Sequence, residues 1–136
     1  SQAIKIANQN KIKNFAKYQV CTVSNLPKLN GDIVFSLGLL DWLNDYELDI
    51  LFKSTENKKY FHAIAEKSLH PSQLIHRLYV YLSYGYKTKG YKPRYYNVEK
   101  LQKMITKYNN NDKINVYRNK KLSFGALISN LSIPKV

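Results

Sequence analysis

The sequence predicts a mainly α-helical chain with one or two small β-hairpins, an α+β protein folded as one domain over residues 1–136. Three observations carry that expectation. Apolar residues recur at three- and four-residue spacing in several windows, as one face of a helix requires. Residues 113–118 (KINVYR) and 121–124 (KLSF) instead alternate about Asn119-Lys120, the pattern of a hairpin. The 136 residues are 44% hydrophobic and 13% aromatic, enough for a single core and too apolar for general disorder.

The elements follow in order. Residues 3–18 form a basic amphipathic helix, with Ile4, Ala7, Ile12, Phe15 and Ala16 opposing Lys5, Lys11, Lys13 and Lys17; residues 1–18 make a helical arm. Residues 19–24 are β-branched and suit a short strand. Pro27 and the Asn30-Gly31 pair mark a loop. Asn30 caps a helix to about Asn44, with Asp32 in its first turn, and this helix is apolar enough to be the central buried one. Residues 46–53 either extend it or form a strand. A second helix fits residues 57–69, with Tyr60, Phe61, Ile64, Ala65 and Leu69 on one side. His70-Pro71-Ser72 breaks the chain, and a third helix runs from Gln73 to about Ser83. Its inner stripe is Leu74, Ile75, Leu78 and Leu82; its outer face shows Gln73, His76, Arg77 and Tyr84. Asn97 caps a fourth helix, 98–109, with Val98, Leu101, Ile105 and Tyr108 inside and Lys100, Lys103 and Lys107 outside. The tail from residue 125 is apolar to about Ile133 and packs back on the core. No internal repeat or long linker is visible.

The net charge of +13 is unevenly placed. Residues 1–68 hold nine Lys and seven acids, a net of +2, whereas residues 69–136 hold thirteen Lys or Arg and two acids, a net of +11. Such asymmetry points to a polyanionic partner. The single cysteine, Cys21, excludes an intrachain disulfide framework and fits a reducing compartment. His62, His70 and His76 lack a familiar ligand spacing, so no metal and no cofactor are expected. The apolar run Ile33 to Leu43 is too short to span a bilayer, and no signal peptide is visible, so a cytoplasmic protein is expected. The chain starts without Met, as a processed protein or a piece of a longer one would. Its abundance of Lys, Asn, Ile and Tyr is what AT-rich coding yields, as in phages, viruses, mobile elements or low-GC bacteria.

Residues Tyr84 to Tyr96, YGYKTKGYKPRYY, contain five tyrosines, the cations Lys87, Lys89, Lys92 and Arg94, and no acid. Gly85 and Gly90 supply turn freedom, and Lys87 to Gly90 suits a hairpin tip. Upstream, residues Ile64 to Leu78 (IAEKSLHPSQLIHRL) read as helix, break, helix, with Ala65 in the first and Ile75 and Leu78 inside the second. With the basic tyrosine ribbon behind it, this segment resembles the winged helix-turn-helix DNA-binding proteins. Leu69 and His70 stand where that family often has Gly and a small apolar residue. The resemblance implies a winged-helix-like fold and a division of labour. Gln73, His76 and Arg77 face the groove, where Gln and Arg make bidentate base contacts. Lys87, Lys89, Lys92 and Arg94 hold the backbone from the wing, Tyr84, Tyr86 and Tyr91 hydrogen-bond phosphates or stack on exposed bases, and Lys100, Lys103 and Lys107 add a second phosphate track.

The expected function is therefore non-catalytic nucleic-acid binding, with DNA favoured over RNA, a homo-oligomer allowed, and no membrane partner. A viral or phage nucleoprotein suits the same charge and tyrosines. A nuclease is disfavoured: tyrosine-nucleophile chemistry needs a His pair for a metal or an Arg/His cluster, and Asp41, Asp45 and Asp49 read as one solvated face. RNA recognition lacks its usual signatures. Membrane-surface binding by residues 3–18 lacks a bulky apolar face.

Overall fold

A computed structural model describes residues 21–84, 93–110, 113–118 and 125–132. Among them are three α-helices and a four-stranded mixed sheet. The protein is therefore α+β with a substantial sheet, and the mainly helical, winged-helix-like expectation is wrong.

The sheet consists of β1 (Ile33–Leu37), β2 (Lys59–Ala65), β3 (Asn115–Arg118) and β4 (Gly125–Ser129), in the order β1-β2-β4-β3. Strands β1 and β2 pair in parallel, with Phe35 opposite Phe61. A parallel pair needs a crossover, and α1 (Asp45–Ser54) supplies it. Strand β4 pairs antiparallel with both β2 and β3, so the tail expected to lie on the core is an interior strand. The expected hairpin survives in part: 115–118 is a strand, its partner is 125–129, and residues 121–124 lie outside the described residues.

Two expected helices are strands. The run IVFSL suits a helix in the sequence because the eleven mostly apolar residues from Ile33 to Leu43 offer no period to contradict one. Its β-branched and aromatic content favours a strand instead. Gly38, at φ 65°, ends β1 in the left-handed region that glycine adopts without strain. A short 3₁₀ turn, Leu40–Trp42, then leads to α1. The second case is β2, KYFHAIA. Its apolar residues satisfy a helical stripe, yet burial has period two: Tyr60, His62 and Ile64 are buried, while Phe61, Ala63 and Ala65 are half-buried. With a strand at 59–65, no first helix precedes the His70-Pro71-Ser72 break. Val23 and Ser24, at the end of the strand expected over residues 19–24, lie instead in a 3₁₀ turn, Val23–Asn25, and residues 19–20 lie outside the described residues.

The remaining helices have local causes. In α1, Asn44 accepts the Glu47 N–H at 2.9 Å and Glu47 accepts the Asn44 N–H at 2.8 Å, a reciprocal capping box. Helix α2 (Pro71–Tyr84) opens on proline, whose missing N–H costs nothing in a first turn. Helix α3 (Val98–Thr106) buries Val98, Leu101 and Ile105 as expected; Asn97 holds the N-cap position without a side-chain hydrogen bond.

The core lies between α1, α3 and one face of the sheet. It joins Leu40, Leu48, Phe52, Tyr60, Ile64, Leu101, Ile105 and Ile128. On β1 the other sheet face presents Ile33, Phe35 and Leu37 as exposed apolar side chains.

Candidate functional site

Helix α2 is inside out. The stripe expected to pack inward, Leu74, Ile75, Leu78 and Leu82, is exposed, and Tyr79 and Tyr81 are exposed beside it. The polar face expected to meet a ligand is turned toward the domain. Gln73 is fully buried. Its Oε1 accepts the Ser68 N–H at 2.6 Å and an Arg77 Nη2–H at 2.9 Å, and its Nε2 donates to the Glu66 carbonyl at 2.6 Å. One amide thus ties the first turn of α2 to the chain leaving β2. His76 Nδ1 lies 3.0 Å from the Tyr95 hydroxyl, with the two rings edge to face. The Arg77 guanidinium sits 4.4 Å from the centroid of the Tyr95 ring, a cation–π contact, while its buried Nε has no hydrogen-bond partner among the described residues. Val80 is the buried apolar residue of this inner face. Gln73, His76 and Arg77 are therefore together, as expected, but they hold α2 against the segment 93–96 and do not face outward as a reading surface.

The tyrosine stretch is described only at its ends. Tyr84 closes α2. Tyr86, Lys87, Lys89, Tyr91 and Lys92 lie outside the described residues. At the far end, Tyr95 is half-buried under Arg77, and Tyr96 is buried with its hydroxyl donating to the Leu43 carbonyl at 2.7 Å. Burial, with Asp45 nearby, pushes the Tyr96 phenol up to about 12, so it stays a neutral donor. Two of the five tyrosines are thus structural. Arg94, just before them, is exposed, and its backbone N–H donates to the Asp41 carbonyl at 2.5 Å.

The lysine face of α3 is exposed as expected, but it is partly neutralised. Lys100 pairs with Asp45 at 2.7 Å and Lys107 with Asp49 at 2.9 Å, both across to α1. The carboxyls of Asp45 and Asp49 are held below the usual range, first by these lysine hydrogen bonds. Lys103, midway along the row, has no ion pair among the described residues. Near the C-terminal end of α3, Lys58, Lys59 and Lys107 surround a polar depression of about 400 Å³ that Asn57, Asn109 and Asn130 also line. Asn57 adopts φ 59° there, and its N–H donates to Asn109 Oδ1 at 3.1 Å.

The three aspartates do not form one face. Asp41 is buried in the 3₁₀ turn, and both carboxylate oxygens lie 3.1 Å from the Ala65 N–H. Burial outweighs that hydrogen bond and lifts the carboxyl to about 7. No group of three or more His, Cys, Asp or Glu is placed to hold a metal ion among the described residues. A second buried polar pair escaped the sequence reading. Ser36 Oγ lies 2.9 Å from His62 Nδ1, and the His62 ring stacks on Tyr60 at 5.3 Å. His62 Nε2 has no hydrogen-bond partner among the described residues, and burial lowers the imidazole to about 4. The period-two reading of β1 and β2 would have found this pair, because it puts Ser36 and His62 on the inner face.

No helix of the described residues is long and apolar enough to cross a membrane. Neither a family model nor a curated protein matches this chain.

Proposed function

We propose that this protein binds nucleic acid without catalysing a reaction on it, through phosphates and not through bases, with duplex DNA as the first candidate. The observation that carries the reading is the net charge of +11 over residues 69–136, thirteen cations against two acids. A polyanion that releases counterions on meeting such a surface is its natural partner. Arg94, Lys59 and Lys103 have no ion pair among the described residues and supply phosphate contacts. Because Gln73 and Arg77 are spent within the domain, sequence preference is weak.

A binding panel tests this: duplex DNA, single-stranded DNA and RNA, at two salt concentrations, with and without divalent metal. Affinity that falls steeply with salt and varies little between unrelated sequences is expected. Failure to bind any of the three at low salt overturns the reading, and metal-dependent cleavage replaces it with a nuclease. A second reading, a protein that assembles along nucleic acid, is favoured by the exposed apolar face of α2.

A further inference from the structure

Leu74, Ile75, Leu78, Tyr79, Tyr81 and Leu82 occupy one side of α2 and are each between 55% and 70% exposed. None carries a charge. A solvent-facing helical side of this kind is uncommon, because the apolar stripe of a surface helix normally faces its own core. Helix α2 cannot roll to bury it without breaking the Gln73 hydrogen bonds to Glu66 and Ser68 and the Arg77–Tyr95 contact. While those contacts hold, this side stays in solvent, and nothing among the described residues covers it.

The spacing identifies the cover. Relative to Leu78, the apolar positions Leu74, Ile75, Tyr81 and Leu82 fall at −4, −3, +3 and +4. That set is symmetric about its centre. An antiparallel copy of the same helix, related by a two-fold axis at Leu78, sets Leu74 against Leu82, Ile75 against Tyr81, and Leu78 against itself. A closed two-fold interface requires such self-complementarity. The area also suits a dimer. At about 200 Å² for a large side chain, six residues exposed to this degree offer roughly 700 Å² per copy, against about 800 Å² in a standard interface. An anionic lipid surface fits less well. A helix lying in a membrane turns a cationic face to water, whereas the polar face of α2 is occupied by its own domain.

We infer that α2 is a homodimerisation helix, pairing antiparallel with α2 of a second copy about a two-fold axis at Leu78. The inference does not depend on nucleic-acid binding. Each copy carries +13, so repulsion opposes pairing and salt relieves it.

The test is sedimentation of the full chain over a concentration series, at low and at high salt, after nuclease treatment so that nucleic acid cannot bridge copies. A dimer that tightens as salt rises is expected. Leu78→Glu places two like charges on the axis and should weaken pairing about a hundredfold, with an unchanged circular dichroism spectrum because the side chain is exposed. In a Cys21→Ser background, oxidation should cross-link Leu78→Cys to itself and the double variant Leu74→Cys/Leu82→Cys, but not Leu74→Cys alone. A monomer at every concentration overturns the inference. So does a dimer that Leu78→Glu leaves intact, or a monomer that floats with anionic vesicles and is released by salt.

Discussion

Helices α2 and α3 look alike as sequences, yet they lie in opposite senses on the fold. Both show an apolar stripe at three- and four-residue spacing with polar residues behind it. Helix α3 buries its stripe, Val98, Leu101 and Ile105, and leaves Lys100, Lys103 and Lys107 outside. Helix α2 buries Gln73 and Val80, half-buries His76 and Arg77, and leaves its stripe in solvent. The difference lies in what each polar face can satisfy. The α3 lysines cannot be buried without a counter-charge, so water and the α1 acids take them. The Gln73 amide meets a carbonyl and an N–H, and the Arg77 guanidinium meets Gln73 Oε1 and an aromatic ring, so all but the Arg77 Nε are compensated when buried. Periodicity shows that a helix has two faces; hydrogen-bond partners decide which one is inside.

The largest expected effect contrasts the two stripes. Leu101→Ala should cost about 3 kcal/mol of folding stability, since it opens a cavity in a filled core. Leu78→Ala should stay within about 0.5 kcal/mol in dilute solution, because that side chain touches little. Urea unfolding of both variants checks this, and equal losses would erase the contrast. Next comes Gln73→Ala. It strands the Glu66 carbonyl and the Ser68 N–H, which should cost about 2 kcal/mol. Its affinity for nucleic acid should not change. An affinity loss that depends on base sequence would restore Gln73 as a reading residue.

A third prediction uses the two buried titratable groups. The folded Asp41 titrates at about 7, above its ordinary value, so the folded state holds that proton more tightly and stability falls as pH rises toward 7. The folded His62 titrates at about 4, below its ordinary value, so the unfolded chain holds that proton more tightly and stability falls as pH drops below about 6.5. Between about 4 and about 6.5 the two slopes oppose each other. Asp41→Asn should therefore steepen the loss of stability on acidification, and His62→Gln should reverse it. Denaturation midpoints measured across that window decide; profiles parallel to the parent chain would contradict both assignments. The smallest effect concerns the α3 surface. Lys103→Ala should reduce the salt dependence of nucleic-acid binding by about one phosphate contact. Lys100→Ala should reduce it less, because Asp45 already engages that ammonium. The reverse order would mean that the ion pairs across to α1 open when the ligand arrives.

Much of α3 was legible because only one arrangement satisfies its residues. The extent of α2 was legible from the apolar spacing, although Pro71 and Ser72 belong to its first turn and not to the break; its orientation was not legible. Orientation depends on Glu66, Ser68 and Tyr95, which sit five or more residues from their partners and form no pattern in the sequence. Strands β1 and β2 failed for another reason. In KYFHAIA the helical and the alternating templates share Tyr60 and Ile64, and His62 decides between them only once its partner Ser36 is known. Gln73, His76 and Arg77, expected to read a groove, are neighbours in the structure, where their proximity serves packing. Of the charge, the row on α3 was legible and its pairing with Asp45 and Asp49 was not, since the α1–α3 contact is tertiary.

The orientation of α2 is tested most directly by proton–proton contacts in solution. Cross-peaks from the Tyr95 ring to the side chains of His76 and Arg77 are predicted, with none from the Leu78 methyls to Leu101 or Ile128 of the same chain. Leu78 methyls in contact with those core residues, and a Tyr95 ring silent toward Arg77, would contradict it.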